Sequence, residues 1–361
     1  MHFIATYVRK ATGAFARYWR QSRWHKFWII LAAAVVLWVG FMYGVAQWYR
    51  ISESDKPLRL GASFIPAYAE SLGLDAEETM DALIQDVGIR HFRLVGYWNQ
   101  HEPAPGEYDF GLLDWQFEKA EEANATVSLA LGLRQPRWPE CHMPDWAREL
   151  PDGEWQQHLN SFIAAVVERY KQSPALESYQ LENEFFLRGF GICEDFDRQR
   201  LINEYDLVKA LDPDHPVIIS RSNNAVGIPV GEPRPDLFGI SIYKRVWDDK
   251  TRRYLEYPFP AWYYGFLAGI QKLLLGRDMI VHELQAEAWP PHGQHIPEAS
   301  LEEQNKSLDA KRLEDRFAYG KATGMRDMYL WGAEYWYYRK VILNDPSLWE
   351  VAKGNFAQAE Q

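Results

Sequence analysis

Cysteine is scarce in this chain, basic residues are outnumbered by acidic ones after its first fifty residues, and low-complexity sequence is absent. Two cysteines in 361 residues, Cys141 and Cys193, are too few for a disulfide-built scaffold or a cysteine metal centre. The net charge is −11, from 39 Lys and Arg against 50 Asp and Glu. Removing the six basic residues of 1–26 (Arg9, Lys10, Arg17, Arg20, Arg23 and Lys26) and Arg50 leaves −18 for the remainder. No basic stripe remains to meet phosphate, so a nucleic-acid partner is not expected. A glycine-rich phosphate loop is also missing. The run after the first strand candidate is Ile65-Pro66-Ala67-Tyr68, which argues against a doubly wound nucleotide-binding sheet.

One stretch lacks charge entirely, residues 27–49. Roughly 20 apolar residues cross a bilayer, and Trp28, Trp48 and Tyr49 stand at the ends of the run, where aromatic belts form. A single transmembrane helix is expected there. Residues 1–26 carry no acid, so the positive-inside rule puts this basic segment in the cytoplasm and residues 51–361 outside. Gly44-Val45-Ala46 offers small residues for signal peptidase, but the long basic lead and long apolar run favour an uncleaved signal anchor. Residues 3–20 place Ile4, Val8, Ala11, Phe15 and Tyr18 at helical spacing. They read equally as a helix on an anionic membrane face or as a basic tail. Residues 50–57 read as a short tether. An extracytoplasmic setting permits a disulfide between Cys141 and Cys193, each of which falls in a loop after a strand candidate.

From 58 onward, apolar β-branched runs alternate with helical patterns. Strands are expected at 58–64, 91–97, 125–132, 177–183, 216–221, 237–243, 278–284 and 327–333. Helices are expected at 76–86, 112–123, 154–171, 198–210, 262–275 and 306–323, as in the three-and-four spacing of Phe162, Val166, Val167 and Tyr170. Eight alternations in one domain, 58–361, predict a (β/α)8 TIM barrel. A barrel keeps its active site at the C-terminal strand ends. Polar residues gather there: Arg93 near the second strand, Asn183 and Glu184 on the fourth, Ser220 and Arg221 on the fifth. Tyr243 ends the sixth, His282 and Glu283 the seventh, and Glu334 follows the eighth.

Several of these stretches form a pattern. Asn183-Glu184 closes strand four and Glu283 closes strand seven. The second unit reads Phe92-Arg93-Leu94-Val95-Gly96-Tyr97-Trp98, then Glu102-Pro103 and Pro105-Gly106-Glu107-Tyr108-Asp109-Phe110. Tyr243 ends Gly239-Ile240-Ser241-Ile242-Tyr243, and Trp331 ends strand eight. In this the chain resembles the retaining glycoside hydrolases of the (β/α)8 clan, cellulase-like enzymes among them. The resemblance implies a glycosidase with Glu184 as acid/base and Glu283 as nucleophile, Tyr243 bonding the nucleophile, and Trp331 under the scissile sugar. It implies an oligo- or polysaccharide substrate.

The chemistry of the residues agrees. A retaining hydrolase needs one ionised carboxylate and one protonated carboxyl about 5–5.5 Å apart. Arg93 would keep Glu283 ionised. Burial and like charge would raise the pKa of Glu184. Asn183 could hold a sugar 2-hydroxyl, and Trp98 and Trp331 could stack on sugar faces. Glu287 is a rival nucleophile; Glu182 reads either as a supporting partner of the site or as a buried ion pair with a strand-borne arginine, and His282 as packing or support. No cofactor and no metal are expected. Two alternatives are a metal-dependent barrel using His282, Glu283 and Glu184, and a glycan-binding barrel without catalysis.

Overall fold

The computed structural model describes residues 23–193, 195–222 and 231–359. The basic stretch 1–22, with its amphipathic pattern, lies outside the described residues. Ten strands are present among those described: β1 (Arg59–Ser63), β2 (His91–Val95), β3 (Thr126–Leu131), β4 (Leu176–Leu181), β5 (Val217–Arg221), β6 (Leu237–Ile242), β7 (Arg245–Asp248), β8 (Arg253–Glu256), β9 (Asp278–Gln285) and β10 (Asp327–Trp331). Eight of them close into a parallel barrel in the order β1-β10-β9-β6-β5-β4-β3-β2. All eight expected strands are found, with ends shifted by no more than two residues.

These strands are nearly buried throughout, the mark of parallel strands covered on both faces. Inside the barrel the pleat sorts residues by height. Ile218, Ile280 and Tyr329 form an apolar plug low in the barrel. Residues two further along the same strands, such as Ser220 and Trp331, belong to the layer at the mouth. The plug is why a polar bowl can exist above it without water entering from below.

Three local features differ from the sequence reading. The stretch 306–323 is two helices, Leu301–Ser307 and Ala310–Ala322, because the Asp309 carboxylate accepts from Arg312 N and starts a new helix. An antiparallel β7–β8 hairpin stands on the mouth after β6; its four-residue strands are too short to show period two in the sequence.

The third difference concerns the tether. The apolar helix runs unbroken from Arg23 to Ser52. Its last turns lie against the Ala261–Leu275 helix, burying Val45, Ala46 and Tyr49. Glycines make the close approach possible: a Cβ on Gly269 would sit 2.9 Å from Val45 Cγ1 and 3.0 Å from Tyr49 Cβ. Beyond the helix, Lys272 pairs with Glu53, Lys56 with Asp278 at 3.2 Å, and Arg326 donates to the Ser54 carbonyl at 3.0 Å. Residues 50–57 are therefore a clamped helix end and turn, because packing and ion pairs fix what composition alone left free.

Overpacking a close helix contact costs about 1–3 kcal/mol. Gly269→Val is expected to lower the melting temperature of the detergent-solubilised full chain and to expose 50–57 to protease. An unchanged melting temperature would mean the contact contributes nothing.

Candidate active site

The bowl is built around one buried guanidinium. Arg93, on β2, is 1% exposed. Its Nε donates to Gln180 Oε1 at 2.7 Å, its Nη1 to Glu283 Oε1 at 2.7 Å, and its Nη2 to Asn183 Oδ1 at 3.0 Å. It thus joins β2, β4 and β9. Tyr243 completes the nucleophile-like setting by donating to Glu283 Oε2 at 2.7 Å. Burial alone would push the Glu283 pKa up, but the Arg93 charge and these donors outweigh it and hold it below the usual value.

Glu184 sits on the opposite side of the bowl, 5% exposed. Burial, then the charge of Glu283, push its pKa up to about 7. The two carboxyls share a neighbour. Ser241 Oγ donates to Glu184 Oε1 and lies 3.4 Å from Glu283 Oε2. One more hydrogen-bond length bounds the nearest oxygens at roughly 6 Å apart, close to the ~5–5.5 Å of retaining glycosidases and short of the ~6.5–9.5 Å of inverting ones.

The turn carrying Glu184 is strained. Glu182 and Glu184 both take left-handed backbone conformations, with φ of 55° and 47°, which non-glycine residues adopt only where the surroundings enforce them. Here Asn183 N donates to the Arg134 carbonyl at 2.6 Å, and Glu184 N to Ser220 Oγ at 2.9 Å. Glu182 is fully buried and accepts from Leu133 N, Arg134 N and Arg200 Nη1 at 2.6, 2.8 and 2.7 Å. Its arginine partner is therefore helix-borne, on Arg198–Leu211, and not on a strand.

The remaining candidates separate clearly. Trp98 is fully buried, donates from Nε1 to Glu102 Oε2 at 2.5 Å and packs edge-on against Trp146. It offers no open face to a sugar, and its reading as a stacking platform is corrected: a strand-end tryptophan starting a short helix turned into the core. Trp331 does belong to the mouth, but the Arg137 guanidinium lies 4.2 Å from its ring centre, so one of its faces is covered. Glu287, the rival nucleophile, is held by Arg137 at 2.7 and 2.9 Å and by the Tyr68 hydroxyl at 2.7 Å. It fastens the loop after β3. His282 packs beneath Glu283, its ring held neutral by burial and the Arg93 charge, with its pKa near 3. Cys141 and Cys193 form a disulfide, Cα atoms 5.3 Å apart, stitching the loops after β3 and β4.

Three participants escaped the sequence reading. Gln180 and Ser241 lie within apolar runs; alternation from Tyr243 could have pointed to Ser241, but no sequence signal pointed to Gln180, which meets Asn183 only through the left-handed turn at Glu182. Glu140, beside the disulfide, is a third buried carboxyl near Glu184 and Glu283, and burial holds its pKa well above the usual range.

With this geometry in hand, comparison with known proteins is informative. A family profile described as Beta-galactosidase matches residues 74–213. The chain is 27% identical over 146 residues to the Beta-galactosidase Bga of Halorubrum lacusprofundi, covering 36% of this chain and 20% of that one. The chain thus matches about a fifth of the length of the curated relatives. Among solved structures, the polyextremophilic β-galactosidase from the same haloarchaeon superimposes with a TM-score of 0.57 at 16% identity, covering 84% of this chain and 58% of the other. GH5_18 from Streptomyces cattleya in complex with GlcNAc gives 0.59 at 12% identity, covering 84% and 81%. The fold is that of the (β/α)8 glycoside hydrolases.

The raised Glu184 pKa has a consequence for stability. Between about pH 4.5 and 7 the folded chain retains a proton that the unfolded chain has lost, so this group lowers stability as pH rises through that window. Glu184→Gln is expected to raise the melting temperature at pH 8 and to change it much less at pH 5. An equal change at both pH values would contradict the raised pKa.

Proposed function

We propose that this chain is a membrane-anchored retaining β-glycosidase. The observation that carries the reading is the split between two neighbouring carboxyls, Glu283 held ionised by Arg93 and Tyr243 and Glu184 held protonated near neutral pH. Glu283 attacks the anomeric carbon while Glu184 gives its proton to the departing glycosidic oxygen, and the C–O bond breaks. A covalent glycosyl ester forms on Glu283. Glu184, now ionised, takes a proton from water, which attacks the same carbon and frees Glu283. A sugar hydroxyl arriving in place of that water yields transglycosylation at the same site.

Asn183 stands beside Glu184, where a 2-hydroxyl would lie, and Arg93 fixes its amide. The β-galactosidase matches make β-galactosides the first substrates to try. The Arg23–Ser52 helix supports anchoring, because most of its side chains are exposed and apolar. By the charge rule its N-terminus is cytoplasmic and the barrel extracytoplasmic.

Glu283→Gln is expected to reduce kcat on the order of 10⁴-fold. Glu184→Ala should lose about 10²–10⁴-fold on poor leaving groups and far less on nitrophenyl glycosides, with rescue by azide. The basic limb of kcat/KM should fall near pH 7, where Glu184 loses its proton, and Arg93→Met should move the acidic limb upward. Wild-type turnover in both glutamate variants would refute the assignment.

A further inference from the structure

Building on the membrane-anchored glycosidase reading, we propose that the barrel mouth faces the bilayer and that the substrate is the sugar headgroup of a lipid in the same membrane. The first observation is the direction of the anchor. Tyr43 packs on Trp262 with ring centres 5.8 Å apart. Ala46 approaches Gly265, and Val45 and Tyr49 approach Gly269. Glu53 pairs with Lys272. Residue numbers rise together on both helices, so the two run parallel.

Barrel helices begin at the catalytic end of the sheet and finish at the opposite end. The Ala261–Leu275 helix therefore starts at the mouth. The anchor comes down alongside it and enters β1 from the far side, where Arg326 clamps Ser54 and Lys56. The undocked part of the anchor accordingly projects beyond the mouth and not away from it.

The second observation is a length. Trp38 and Phe41 already pack on Phe266, so the uncharged part of the helix ahead of the docked turns is 27–37, 11 residues, about 16 Å at 1.5 Å per residue. A hydrocarbon core is about 30 Å thick. The shortfall draws the docked turns, and with them Trp262 and the rim, down to the headgroups. No aqueous gap is left in which a bulky soluble polysaccharide could reach the bowl from above.

The third observation is the rim. Trp138, on the loop after β3, is 65% exposed. Phe190 and Ile192, on the loop after β4, are 39% and 64% exposed. The Cys141–Cys193 disulfide ties these loops together. An apolar, cross-linked rim is suited to a lipid surface. Between Glu184 and Glu283, hydrolysis would break the bond from the anomeric carbon to the lipid's glycosidic oxygen. One water is consumed, the lipid leaves as an alcohol, and the sugar is released.

The test uses the full-length protein in phosphatidylcholine vesicles. Galactosyl and glucosyl diacylglycerols in the bilayer are compared with the 4-nitrophenyl glycosides of the same sugars in solution. Inserting seven apolar residues between Ala34 and Val35 lengthens the free helix by about 10 Å while nearly preserving its phase. The insertion is expected to lower glycolipid turnover at least tenfold and to leave nitrophenyl turnover within twofold. Equal effects on both substrates would overturn the proposal. Both native cysteines are in the disulfide, so Phe190→Cys and Asp55→Cys each accept one fluorophore. Energy transfer to headgroup-labelled lipid should be stronger from 190 than from 55, and the reverse order overturns the orientation whether or not any sugar is cleaved. Extraction of the protein by alkaline carbonate would instead refute the anchor, and inactivity on every glycoside would refute the glycosidase reading.

Discussion

A single buried cation organises the centre of this barrel. Arg93 is closed off from solvent and reaches Gln180 and Asn183 on one side and Glu283 on the other. A guanidinium in such a place is tolerable only when its donors are satisfied and its charge is answered. Glu283 answers it. Removing either partner would strand a buried charge at about 3–5 kcal/mol. The same pairing forces Glu283 to remain ionised, which is what a nucleophilic carboxylate requires.

The other features of the site follow from that charge. Burial first, and then the ionised Glu283 within reach of Ser241, make a negative charge on Glu184 costly, so Glu184 keeps its proton up to about pH 7. The strained turn that delivers Glu184 needs an external scaffold, which Glu182 and Arg200 supply from beneath. The loop after β3 is fastened in turn by Arg137 and Glu287. Glu182 and Glu287 are committed to ion pairs with Arg200 and Arg137 and brace the loops around Glu184 and Glu283.

The barrel was legible because parallel strands buried on both faces leave continuous β-branched runs, and these recur eight times. The strand-end residues Arg93, Glu184, Tyr243 and Glu283 were legible because a charge or hydroxyl closing such a run has few structural uses. What escaped was set by tertiary packing. Trp98 sits at a strand end as a platform would, yet turns inward to Glu102. Glu140 lies in an irregular loop and enters the bowl only because the disulfide and Arg134 draw it in. Gly265 and Gly269 are unremarkable in sequence, but the apolar Arg23–Ser52 helix packs against them.

The division of labour between the two carboxyls is tested most directly by trapping. A 2-deoxy-2-fluoro glycoside with a good leaving group should inactivate the protein and add one sugar, with the mass shift on the peptide containing Glu283 and confined to that residue. A stable adduct on Glu287 or Glu184, or steady turnover with no adduct at all, would contradict the account.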